Sequence, residues 1–186
     1  MKQLKMRRPS APAAAHALPD GYRIIPFAGT QGEITDWLAI VAEGLVPVED
    51  GEAVFDRYIR NWKDLTPGED LFFVTDSAGK RVATIAAVRH SDESGYIHMV
   101  GSLPECRGKG VGRAMLAHAL CVIESRGVNH TILTTDDYRL PAIKQYLDAG
   151  FRPVLWQDPD SDMRARWDKV IETLGYRPVE YLDELN

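Results

Sequence analysis

One short turn constrains this chain more than any other stretch. Arg107-Gly108-Lys109-Gly110-Val111-Gly112-Arg113 has glycine at every second place and joins a β-rich run to a helical one. Glycine removes side chains where backbone must come close to a ligand. The first N–H groups of the following helix have no partner inside it, and with the positive end of the helix dipole they form an anion site. Arg107, Lys109 and Arg113 add positive charge around that site. A pyrophosphate is the natural occupant. The turn is not a Walker-A loop, because no Gly-Lys-Ser/Thr follows four residues after a glycine. Nor does it fit a dinucleotide fingerprint, which needs other spacing and a chain-leading βαβ unit.

The elements around the turn give it a setting. Tyr22 to Phe27 reads as a first strand. Ile34, Trp37, Leu38, Val41 and Leu45 recur at helical spacing, and a second helix is expected across Val54 to Trp62. Leu71 to Thr75, Arg81 to Arg89 and Tyr96 to Leu103 are β-rich and separated by two tight turns, so they predict three antiparallel strands in a row. Gly108 to Arg126 carries a wide apolar stripe, with Cys121 read as a small core residue. Asn129 to Thr135 is a strand, Pro141 to Ala149 a helix, Phe151 to Trp156 a strand and Asp160 to Leu174 a helix. The order implies an α+β fold, a mixed central sheet flanked by helices. Within it a βαβ unit makes Tyr96 to Leu103 and Asn129 to Thr135 parallel neighbours.

Residues 1–19, basic and then rich in Ala and Pro, are expected to form a flexible tail. Residues 20–156 form the domain, and 157–186 a C-terminal helical extension packed on it. The net charge of −5 offers no global attraction to nucleic acid or to an anionic membrane. No run approaches the roughly 18 apolar residues of a membrane span. Two cysteines, Cys106 and Cys121, make neither a disulfide framework nor a ligand set, so a reducing cytoplasm is the default and Cys106 is read as non-catalytic. The histidines lack metal-ligand spacing, and no metal is expected.

Two motifs together resemble one family. Arg107-x-x-Gly110-x-Gly112, five residues past a strand end, is similar to the cofactor signature of GNAT N-acetyltransferases. About thirty residues on, Ala142-x-x-x-Tyr146 followed by Gly150-Phe151 resembles that family's last-helix motif. The resemblance implies the GNAT fold from about Tyr22 to Trp156 and acetyl-CoA as co-substrate. It implies that backbone of Val100, Gly101 and Ser102 pairs with the pantetheine arm where the strand parts from its neighbour. The amides of Gly108, Lys109, Gly110, Val111, Gly112 and Arg113 would hold the pyrophosphate. Tyr146 would protonate the departing thiolate; the alternative is a core-facing ring beside Ile143 and Leu147. Relatives commonly carry Asn where this chain has Arg139, which could reach a phosphate, an acidic substrate or solvent.

Direct acyl transfer to an amine needs a neutral amine, a supported oxyanion and a stabilised leaving group, and no protein nucleophile. His98 is the candidate base: counted by twos along its strand it shares a face with Val100 and Ser102, and an imidazole with pKa near 6.5 accepts a proton at neutral pH. A hydrogen-bonded structural histidine is the alternative. Asp92 and Glu93 read as a solvated turn, and Asp136 and Asp137 as caps for the next helix, the alternative being that they orient substrate. The acceptor pocket is expected from Ile34 to Trp62, with Trp37, Tyr58 and Trp62 read first as packing. The added helix, with Trp156 and Trp167, would cover one end of the site or make a homodimer contact. Function then reads as acetyl transfer to a small-molecule amine. The alternatives are a protein or peptide N-acetyltransferase and a non-catalytic CoA-binding sensor or interaction domain.

Overall fold

Alternation along Arg81–Arg89 (β4) sets the architecture. Its Ile85 and Ala87 enter one core cluster and its Ala86 and Val88 another, so this strand is covered on both faces. The computed structural model describes residues 2–91, 93–155 and 162–183. In chain order these form β1 (Leu4–Pro9), β2 (Arg23–Pro26), α1 (Gln31–Val41) and α2 (Glu52–Phe55), which runs on as a π-helical turn over Asp56–Arg60. Then come α3 (Pro67–Asp70), β3 (Leu71–Thr75), β4, β5 (Ser94–Ser102), α4 (Val111–Glu124) and β6 (His130–Thr135). The chain continues through α5 (Leu140–Asp148), β7 (Arg152–Leu155), α6 (Met163–Leu174) and β8 (Leu182–Asp183).

Eight strands form one sheet in the order β2-β3-β4-β5-β6-β1-β7-β8. Among the described residues only β5–β6 and β7–β8 are parallel. The fold is the expected α+β mixed sheet, and the two strands flanking α4 are parallel neighbours as their connection requires. On one face α1, opened by a Thr30–Glu33 capping box, and α2 bury Trp37, Ile40, Phe55 and Ile59 against the sheet. On the other, α4 lays Met115, Ala119 and Ile123 on it, in a cluster shared with α5 and α6. Ile123 lies so close to Gly95 that a β-carbon there would come within 2.1 Å of it.

The first residues are not a tail. Leu4, Met6 and Arg8 are buried while Lys5 and Arg7 face the other way, the period of two of a strand. This strand lies between β6 and β7, antiparallel to both. Arg8 is kept inside by an ion pair with Glu124 and by donating to the carbonyls of Ala149 and Ala11. Cys121 also departs from expectation: it is exposed, because Leu120 and Ile123 take the inward places. Trp167 is fully buried in the core. Asp92 and Trp156 lie outside the described residues.

Candidate active site

The parallel ladder between β5 and β6 is short. It runs from Ser94–His130 to Tyr96–Ile132 and stops, after which β6 stays with β1 and the strands part. Just beyond, β5 carries a bulge: Ala86 pairs with His98 and Thr84 with Gly101, so Met99 and Val100 together oppose Ile85. Met99 sits at φ 49°, a left-handed conformation rare for a side chain of that size. A cavity of about 510 Å³ opens where the strands separate, walled by β5 from Tyr96 to Val100, by β6 and its following loop, by α5 and by Leu45–Pro47.

The bulge overturns the parity reading of His98. Gly101 faces Ile40 of α1, and Met99 packs with the α1 cluster, whereas Val100 packs with the α4 cluster. His98 stacks on Trp62 with ring centroids 3.9 Å apart, on the α1–α2 side. His98 and Val100 are therefore on opposite faces. The π-helical turn explains the other contact of His98. Trp62 N–H turns to the carbonyl of Ile59, and the carbonyl of Tyr58 accepts from His98 Nε2 at 2.9 Å. Burial pushes the His98 pKa down to about 4, against a smaller upward pull from that carbonyl. The ring is neutral at pH 7, with its proton on Nε2, and does not have the pKa near 6.5 expected of a base.

Tyr146 meets both of its readings. Its ring packs with Phe151 in the core and also lines the cavity. Burial holds its phenol well above the ordinary tyrosine range, while the Arg139 guanidinium pulls the other way. Such a phenol is protonated at neutral pH, the state a proton donor needs. Arg139 lines the same cavity. It donates to the carbonyl of Leu45 at 3.0 Å and pairs with Asp136 at 3.0 Å, so it bridges to the loop after α1 and does not point to solvent. The N-cap of α5 is Arg139, with no side-chain cap, so neither Asp136 nor Asp137 has the capping role expected for it.

The glycine turn leaves backbone donors free at the start of α4. Gly108 and Gly110 take left-handed φ values of 73° and 87°, and α4 starts without any side-chain cap. Its first helical bond runs from Ala114 N–H to the Gly110 carbonyl, which leaves the earlier helix donors without intrahelical partners. At Gly112 a β-carbon would stand 2.8 Å from Gln145 Oε1, so glycine here also lets α5 pack against the start of α4. Lys109 and Arg113 are exposed. Arg107 closes the turn instead: its guanidinium donates to the Ser102 carbonyl at 2.7 Å and lies 3.7 Å from Glu43. Cys106 is buried, its thiol pushed up mainly by burial and its S–H turned to the Leu103 and Val82 carbonyls, an inert arrangement.

Of the predicted pocket residues, Tyr58 and Trp62 line the cavity and Trp37 is core. Sequence reasoning missed Gln3, Thr134 and Tyr138 as cavity residues, and Asp136, read first as a cap, lines the cavity as its alternative reading of orienting substrate requires. Asp136 and Tyr138 carried a weak signal, lying beside Arg139 in a loop that leads into the Tyr146 helix. Gln3 carried none, because only the placement of β1 brings it there. Among the described residues no helix is long and apolar enough to cross a membrane.

Comparison with known proteins bears on the family and the fold. A model of the acetyltransferase (GNAT) family matches residues 33–151. A mycothiol acetyltransferase from Beutenbergia cavernae is 30% identical over 143 residues, covering 75% of this chain and 48% of that protein. One from Thermobispora bispora is 30% identical over 155 residues, covering 79% and 52%. The chain thus spans about half the length of the curated relatives it matches. A GCN5-related N-acetyltransferase from Sphaerobacter thermophilus shares the fold with a TM-score of 0.63 at 23% identity, over 81% of this chain and 47% of that one.

Proposed function

This chain belongs to the GNAT acetyltransferase family, and from that premise we propose that it transfers the acetyl group of acetyl-CoA directly to the amine of a small molecule. The observation that carries the reading is the cavity in the parted sheet, with the Tyr146 phenol, protonated at neutral pH, on its wall and a helix start with free N–H groups and left-handed glycines after it. That helix start fits a pyrophosphate, for the reasons of backbone and helix end already given. Val100, Gly101 and Ser102 lie on the stretch of β5 that β6 has left, where an extended pantetheine can lie as an added strand. Bound there, acetyl-CoA supplies an activated acyl group and a thiolate leaving group.

The chain's residues then have separable tasks. The acceptor amine forms a C–N bond to the thioester carbon as the C–S bond breaks. Tyr146 gives its proton to the sulfur, the amine gives one proton to water, and water returns one proton to the Tyr146 phenolate, so that the phenol is restored at the end of the cycle. His98 is assigned to the wall in place of the base, since an imidazole with a pKa of about 4 is a weak proton acceptor and its Nε2 is engaged by the Tyr58 carbonyl. The pocket's walls support a small acceptor over a protein tail: Tyr58, Trp62, Tyr96, His98 and Tyr138 supply aromatic surface, and Thr134 and Asp136 supply polar atoms at one end. Two relatives named mycothiol acetyltransferases favour the same class of acceptor.

Thiol release from acetyl-CoA across a panel of small amines and peptide N-termini tests the proposal. Turnover with at least one small amine and with no peptide is expected. Retention of acetyl-CoA without turnover of any amine would leave a binding domain and refute it.

A further inference from the structure

We propose that Arg166 of α6 is a positioning residue for the acceptor end of the cavity, acting through Asp137 on the loop that carries Asp136, Tyr138 and Arg139. The proposal rests on the acetyltransferase reading but concerns a helix outside the 33–151 stretch that defines the family.

All three of those loop residues line the cavity. Tyr138 is 70% exposed, an aromatic ring at the mouth with its hydroxyl 3.2 Å from Arg139 Nη2. A loop whose exposed aromatic ring and carboxylate contact an acceptor must itself be held, and this loop is held from three sides. Arg139 donates to the Leu45 carbonyl in the wall opposite. Gln3, just ahead of β1, donates to Asp136 Oδ1 at 3.1 Å and accepts from Thr134 Oγ1 at 2.9 Å. Asp137 takes the fork of Arg166: Nε donates to Oδ2 at 2.9 Å and Nη2 to Oδ1. The third nitrogen of the guanidinium, Nη1, donates to the Lys2 carbonyl at 2.9 Å. One side chain therefore ties the loop to both α6 and the segment that bears Gln3.

Arg166 is suited to that task. A planar fork fixes both oxygens of a carboxylate, which a lysine ammonium cannot do. Its side chain is only 11% exposed, and α6 is seated independently by buried Met163, Trp167 and Val170. Removing the guanidinium should thus leave the helix in place and free the loop. The Asp137 carboxyl is held below the usual aspartate range chiefly by the Arg166 hydrogen bond, so the pair persists across neutral pH. Misplacing substrate-contacting groups by about 1 Å can cost two orders of magnitude in rate.

The test uses the full chain with acetyl-CoA and the best amine of the panel. Arg166→Ala should raise the acceptor KM by roughly tenfold or more while KM for acetyl-CoA stays within about twofold. Arg166→Lys should restore only part of the loss, and Asp137→Asn should add little to Arg166→Ala, because both cut one link. In parallel, hydrogen exchange at 136–139 should quicken by about tenfold in Arg166→Ala while α4 stays protected. An acceptor KM unchanged within about twofold overturns the proposal, even with faster exchange, and so does unchanged exchange in the loop. Should the parent turn over no amine, the acetyltransferase reading fails on its own account, and the exchange experiment still decides whether Arg166 holds the loop.

Discussion

Replacing Gly110 by aspartate separates the cofactor site from the backbone that builds it. Gly110 sits at φ 87° and Gly29, in the loop before α1, has the same φ. A β-carbon at Gly29 meets nothing within 4 Å, and one at Gly110 meets only Pro19 at 4.0 Å. Gly29→Ala and Gly110→Ala should therefore pay a similar left-handed penalty of about 1–2 kcal/mol. For a domain of this size that lowers Tm by about 2–8 °C. Acetyl-CoA at about 100 times its Kd adds about 2.7 kcal/mol to the folded state. That corresponds to an upward shift of about 5–11 °C in the parent, and Gly29→Ala should show it in full. Gly110→Asp adds a carboxylate at the start of α4. Two unit charges about 4 Å apart at an effective dielectric of about 20 repel by about 4 kcal/mol, more than the whole ligand term. Differential scanning fluorimetry with and without acetyl-CoA reads the result. A shift in Gly110→Asp equal to that in Gly29→Ala would mean that the pyrophosphate binds elsewhere.

Tyr146→Phe should lower kcat by about 10²-fold with acetyl-CoA affinity unchanged, since the phenol acts on the leaving sulfur; rates within twofold of the parent would return Tyr146 to the core. His98→Gln should leave the shape of the kcat/KM profile between pH 5 and 8 unchanged, and loss of an acidic limb near pH 6.5 would restore the histidine as base. Below about pH 6.5 the unfolded chain binds a proton on His98 that the folded chain refuses until about pH 4. Stability should therefore fall as pH drops through that window, by up to about 1.4 kcal/mol per unit from this group, and His98→Gln should flatten the fall in Tm.

The glycine turn was readable because its requirements are local. Gly108 and Gly110 need left-handed backbone and Gly112 needs room for Gln145, so each demand leaves its own residue in the sequence. The three antiparallel strands and the parallel crossover were readable for the same reason. β1 was half legible: Leu4 and Met6 alternate with Lys5 and Arg7, but a buried Arg8 makes the run look solvated. Its partner Glu124 lies 116 residues away, and no local pattern announces such a pairing. Periodicity failed outright at Met99. Counting by twos holds only while every residue is paired one to one, and methionine gives no sign that it will adopt φ 49°.

That failure falls where the site is made. A regular β5 would continue its ladder with β6 past Tyr96, and its groups would be taken by the neighbouring strand. Instead β5 carries a bulge, with His98 against Trp62, Met99 in the α1 cluster and Val100 in the α4 cluster. β6 keeps its place in the sheet because β1 is paired along its other edge, from Leu4–Thr135 to Pro9–His130. The facing edges of β5 and β6 past the Tyr96–Ile132 pair lose each other as partners, at a cost in backbone hydrogen bonds. The N-terminal strand thus does two things for one cavity: it steadies the strand that departs, and through Gln3 it reaches the loop on the far wall. Substitutions that loosen β1 should consequently disturb the acceptor side before they disturb the glycine cradle, whose donors belong to α4.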